Sequence, residues 1–161
     1  MLVVDRPSGI TITPEGLAEL VALYGHSLPT DYLDFIEATN GGYIDLDDDE
    51  RAQVCDYKIP PSGRASREVM SQMYFVGDER VNPNLGSVAT STRRLQHSGL
   101  APGMLAIGEG VSAFYFCMQS VERGAVYAFP QDNGMRSCGI FIAKSFSEFC
   151  KMVYRHPYHD V

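Results

Sequence analysis

The sequence predicts an α+β fold, and three observations predict it. Two segments of helical period lie within the first 40 residues, aromatic and aliphatic runs broken by glycine-bearing turns fill residues 104–143, and a capping box opens at Ser145. The runs read as successive antiparallel strands, and the capping box as the start of a closing helix.

The first helix signal is Thr13-Pro14-Glu15: Thr13 caps, Pro14 fits the first turn and Glu15 complements the positive end of the dipole. Leu17, Leu20, Val21 and Tyr24 follow at i, i+3, i+4 and i+7, and Gly25 supplies the stop. A second helix begins near Pro29, with Tyr32, Phe35 and Ile36 on one face and Asp31, Asp34 and Glu37 on the other. It ends at Asn40-Gly41-Gly42.

After Gly42 the period becomes extended. Tyr43-Ile44 leads into the acidic run Asp45-Leu46-Asp47-Asp48-Asp49-Glu50 and then into residues 54–59, which reads as strand, solvated loop and strand. Pro60-Pro61-Ser62-Gly63 breaks the second strand, residues 64–74 fit a short helix or a strand, and residues 72–77 fit a strand. From Asn84 to Leu95 the spacing of Leu85, Val88, Ala89 and Leu95 predicts a helix, with Arg93-Arg94 near its negative end.

Residues 104–107, 114–118 and 125–129 are strands separated by Gly108-Glu109-Gly110 and Glu122-Arg123-Gly124, and residues 140–143 add another. The last helix runs from about Ser145 to Arg155, burying Phe146, Phe149, Cys150 and Val153, with Pro157 beyond it.

Length and composition fit this reading. At 161 residues, 45% hydrophobic and 20% charged, the chain is expected to be one domain over 1–161, large enough to build a core without a metal or disulfides. The N-terminus offers no basic region leading into an apolar stretch, and no apolar run approaches the roughly 18 residues that span a bilayer, so a cytoplasmic location is expected. Cys55, Cys117, Cys138 and Cys150 form no C-x-x-C pair and read as reduced, buried thiols.

Charge is unevenly placed: residues 1–60 carry 12 acidic and 3 basic residues, a balance of −9, and the remainder carries +2 within a net −7. Without a Lys/Arg stripe, nucleic acid and anionic membranes are poor partners, because affinity for phosphate comes from basic groups displacing counterions. A basic protein fits better.

Three ordered segments carry a family resemblance. Leu28-Pro29-Thr30-Asp31-Tyr32 through Phe35 and Asn40-Gly41-Gly42 resembles the "LP-x-DY-x-x-F … NGG" signature of the SUKH superfamily, which includes bacterial toxin-immunity proteins and fungal cell-wall assembly regulators. Leu105-Ala106-Ile107-Gly108 and the paired runs 114–118 and 125–129 resemble its central hairpin, and Ala143-Lys144-Ser145-Phe146-Ser147-Glu148-Phe149 resembles its "A-x-SF-x-EF" helix start. The match spans roughly residues 14–154; it departs where members usually carry Gly-Asp and this chain has Ser112-Ala113-Phe114. The resemblance implies a mainly antiparallel sheet with an N-terminal helix pair and a C-terminal helix packed against it, no catalytic residues, and neutralisation of a toxin domain by direct binding.

Other constellations read more simply. Gly108-x-Gly110-x-x-Ala113 spells a dinucleotide fingerprint, but a strand follows where a helix N-terminus is required. Asp45, Asp47 and Asp49 resemble the start of a calcium loop, yet Glu50 and Asp56 stand where it needs Gly and a bidentate Glu. His156-x-x-His159-Asp160 falls in an expected frayed tail and lacks a ligand set. His26 and His97 read as exposed, and no nucleophile elbow, P-loop or H-E-x-x-H is present. Alternate aromatic residues of 114–116 and 127–129 must fill the core, the others lying on the opposite sheet face.

The expectation is therefore a non-enzymatic immunity protein, with no metal or cofactor, that binds a basic toxin or effector domain. The candidate contact residues are Asp45, Asp47, Asp48, Asp49 and Glu50, a block that reads either as a solvated face or as a partner-facing patch. An intracellular regulatory or scaffold module is the alternative on the same fold; a hydrolase or transferase using a Cys/His pair is the alternative from another class.

Overall fold

A computed structural model describes residues 1–131 and 139–160. In chain order the elements are β1 (Arg6–Pro7), α1 (Pro14–Tyr24), α2 (Thr30–Thr39), β2 (Gly42–Tyr43), β3 (Arg51–Ile59), β4 (Arg64–Met73), α3 (Val88–His97), β5 (Met104–Gly110), β6 (Phe114–Gln119), β7 (Ala125–Pro130), β8 (Ile140–Ala143), α4 (Phe146–Met152) and β9 (Tyr154–Pro157). The strands pair antiparallel in the order β1-β2-β4-β5-β6-β7-β8, and β3 pairs with both β4 and β9.

The helix pair forms where the caps place it. Thr13 Oγ1 accepts from Gly16 N and Gly25 ends α1 in the left-handed region. α2 ends at Asn40, also left-handed, whose side chain accepts from Val76 N at 2.8 Å and donates to Ile10 O and Val76 O. Gly41 and Gly42 follow with positive φ, and nothing larger would fit there: a Cβ on Gly41 would lie 2.5 Å from Tyr74 O, and one on Gly42 2.2 Å from Arg6 O.

The core lies between the sheet and its helices. Leu105, Met118 and Val126 are opposite one another on β5, β6 and β7 and are fully buried. Phe149 of α4 meets Phe116 at 5.1 Å, and Phe146 joins Tyr32 and Phe35 of α2, each at 5.0 Å. Asp31 locks this corner: its carboxylate accepts from Tyr32 N and, at 2.7 Å, from Ser147 N in the first turn of α4. Ser145 caps α4 as expected, its Oγ accepting from Glu148 N, while Glu148 Oε2 reaches back one residue past the cap and accepts from Lys144 N.

Residues 64–73 take the strand alternative of the two the sequence left open, because the β3 edge from Val54 to Ile59 pairs with them. Four local expectations are corrected. That strand ends at Met73, so residues 74–77 lie outside it, with Phe75 bridging only to Ser87. α3 starts at Val88, not Asn84, because residues 84–87 are held as a loop in which Gly86 N donates to Gln72 Oε1. Gly108–Gly110 belongs to β5, not to a turn; Gly110 lies so close to Glu68 that a Cβ would meet Oε1 at 2.2 Å. Finally, α4 ends at Met152, and Tyr154–Pro157 pairs with Arg51–Val54 as β9, so the C-terminal segment is ordered by β3's second edge, not frayed.

Candidate functional site

The acidic loop joins β2 to β3, and Asp47 organises it. Asp47 Oδ1 accepts from Asp49 N at 3.1 Å and Arg51 N at 2.9 Å, a side-chain mimic of a backbone turn. The backbone closes the same turn through Asp47 N to Arg51 O and Glu50 N to Asp47 O, with Glu50 in the left-handed region. These backbone donors, with the Arg51 guanidinium, hold the Asp47 carboxyl below its ordinary range.

Three arginines from separate strands brace the loop. Arg6 on β1 pairs with Asp45 and lowers its carboxyl pKa. Arg51 reaches Asp47 at 2.9 Å and Asp49 at 3.0 Å. Arg155 on β9 pairs with Asp5, lies 3.9 Å from Asp47, and donates to the carbonyls of Asp45 at 2.8 Å and Arg51 at 3.1 Å. Glu50 Oε2 stands 2.9 Å from His159 Nε2.

Of the five candidate residues, Asp45 and Asp47 are therefore half-buried and turned inward, while Asp48, Asp49 and Glu50 are exposed. Asp48 has no ion pair among the described residues. Counting Asp5, Asp45 and Asp47–Glu50 against the three arginines, the cluster keeps a balance of −3. Among the described residues no group of three or more His, Cys, Asp or Glu is placed to hold a metal ion. His159 is spent on Glu50, and the Nδ1 of His156 lies 3.0 Å from Pro157 O.

Beside the loop is a hollow of about 300 Å³, floored by Ala52, Val69 and Met70 and flanked by Leu46, Val111 and Tyr158. Sequence reasoning missed it, because Leu46, Val111 and Tyr158 are far apart in the chain and none belongs to a periodic face.

The aromatic strands supply little open surface. Phe114, Tyr115, Phe116 and Phe129 are buried. Tyr127 is half-buried, packed edge-on to the exposed Phe141 and donating to Glu122 Oε2. The thiols are also withdrawn: burial raises those of Cys55 and Cys150 to about 12 and that of Cys117 further, opposite to the shift a cysteine nucleophile requires. Cys138 lies outside the described residues. Among the described residues, no helix is long and apolar enough to cross a membrane.

A family model described as the SMI1 / KNR4 family (SUKH-1) matches residues 11–152. No curated protein and no solved structure matches the chain.

Proposed function

This chain belongs to the SMI1 / KNR4 family (SUKH-1), and from that premise we propose that it is a cytoplasmic, non-enzymatic immunity protein that neutralises a basic toxin domain by direct contact through the acidic loop. The observation that carries the reading is the arrangement of the loop. Asp45 and Asp47 anchor it inward, so that Asp48, Asp49 and Glu50 stand out on a braced turn. Preorganised carboxylates bind cations without first paying the entropy of ordering a flexible loop.

The resemblance to immunity proteins supports the toxin as partner. The upward shifts of the described thiols support a binding role over a cysteine-based hydrolase or transferase. A regulatory module that binds a basic host protein would use the same surface; a toxin gene immediately upstream favours immunity.

The test is the association rate with that upstream gene product at low and physiological salt. Wild type should lose k_on as salt rises, and Asp48→Asn with Asp49→Asn should lower k_on at low salt while leaving the fold intact. An unchanged k_on and Kd at low salt would remove the loop from the interface.

A further inference from the structure

We infer that the hollow beside the acidic loop receives an apolar side chain of the partner, flanked within two or three residues by Arg or Lys; this rests on the reading of the acidic loop as the basic partner's contact surface. The hollow has a structural origin. β4 pairs with β3 up to Val69 and with β2 from Gln72, so Met70 and Ser71 lie at the fork where one neighbour leaves and the other begins. The ladder to β5 is irregular between the same residues, Met70 and Gln72. The fork leaves a hollow over the floor of Ala52, Val69 and Met70, which are themselves buried, so the apolar surface it opens is that of its rim.

Three exposed apolar residues surround that floor. Leu46, Val111 and Tyr158 are 47%, 58% and 45% exposed. A single exposed apolar side chain is ordinary, but three from separate segments around one concavity form a patch of the kind that marks an interface. Two are held by backbone bonds and the third precedes a braced turn: Tyr158 N donates to Glu50 O at 3.0 Å, Val111 N donates to Val69 O at 3.0 Å, and Leu46 immediately precedes the turn that Asp47 closes.

Charge decides the occupant. Asp45 is part of the wall, the Glu50 backbone carbonyl accepts from Tyr158 N and so holds Glu50 beside it, and the surrounding cluster keeps its balance of −3. An apolar group alone would leave those carboxylates facing its low-dielectric neighbourhood, whereas cations on either side complement them. The predicted element is a Leu- or Met-like anchor between basic residues, an apolar centre within a charged rim.

The test uses three synthetic hexapeptides, Arg-Arg-Leu-Leu-Arg-Arg, Arg-Arg-Ser-Ser-Arg-Arg and Glu-Glu-Leu-Leu-Glu-Glu, titrated into the full chain by NMR. The first should shift the amides of Leu46, Val111 and Tyr158 saturably and bind about tenfold more tightly than the serine peptide, the gain expected from burying most of one leucine side chain. Val111→Asp, in an exposed turn, should abolish that tenfold advantage and leave the serine peptide unaffected. Leu46→Ser should do the same and serves as the second variant if Val111→Asp does not fold.

Equal binding of the leucine and serine peptides, or no saturable shift at the three residues, overturns the anchor while leaving the acidic-loop reading standing. Equal binding of the Glu-flanked and Arg-flanked leucine peptides overturns the charge assignment on which both rest. Self-association through the same residues, displaced by the peptide, would assign the hollow to a second copy of the chain and overturn the proposal.

Discussion

Replacing Arg155 with methionine keeps the bulk of the side chain and removes the guanidinium that ties β9 to the acidic loop. Three hydrogen bonds go with it, to Asp5 and to the carbonyls of Asp45 and Arg51. Arg51 O keeps a second donor in Asp47 N, while no other donor within the protein reaches Asp45 O among the described residues. A hydrogen bond to a charged group is worth about 1.5–3 kcal/mol when buried. The Arg155 and Asp5 side chains are 25% and 23% exposed, so water replaces part of what is lost and the pair itself is screened. The net expected cost is about 1–2 kcal/mol. For a chain of this size that lowers Tm by about 2–8 °C.

The same substitution takes the local balance from −3 to −4, so added salt should recover part of the loss in the variant and little in wild type. Thermal melts at two salt concentrations read both effects. Amide exchange at Asp49 and Arg51, whose N–H groups bond Asp47, should accelerate in the variant. A Tm within about 1 °C of wild type, with unchanged exchange at those two amides, would refute the bracing role and show that Asp47 and Arg51 hold the loop unaided.

Gly41→Ala should destabilise severely: the left-handed backbone alone costs about 1–3 kcal/mol, and the new Cβ would stand 2.5 Å from one backbone carbonyl oxygen and 2.6 Å from another; denaturant melts measure it. Glu68→Gln should raise Tm at neutral pH. Burial raises the Glu68 carboxyl pKa, so its ionised form weakens the fold above that pKa, and acidification through it removes the variant's advantage; a lower neutral-pH Tm would contradict this. Both glutamine and glutamate offer Oε1 to Ser112 N.

The motifs that make the fold legible are those that build it. Asn40 satisfies Val76 on both its N–H and its C=O, Asp31 joins the starts of two helices, and Ser145 and Glu148 cap α4, so each carries local chemistry that spacing alone reveals. β9 was hidden because Ser145-x-x-Glu148 and the apolar spacing favour continuing a helix, whereas the free edge of β3 decides the conformation of Tyr154–Pro157. The candidate surface was half legible. A run of carboxylates is visible in the chain; its compensation by Arg6 and Arg155, and the hollow between Leu46, Val111 and Tyr158, arise only when strands distant in sequence meet.

The most direct measurement asks whether the gene immediately upstream encodes a toxin domain and, where it does, titrates this protein into that domain's activity assay. The account predicts complete inhibition at one equivalent, with Asp48→Asn and Asp49→Asn together slowing the onset at low salt. Full toxin activity at a saturating excess of the protein would contradict it.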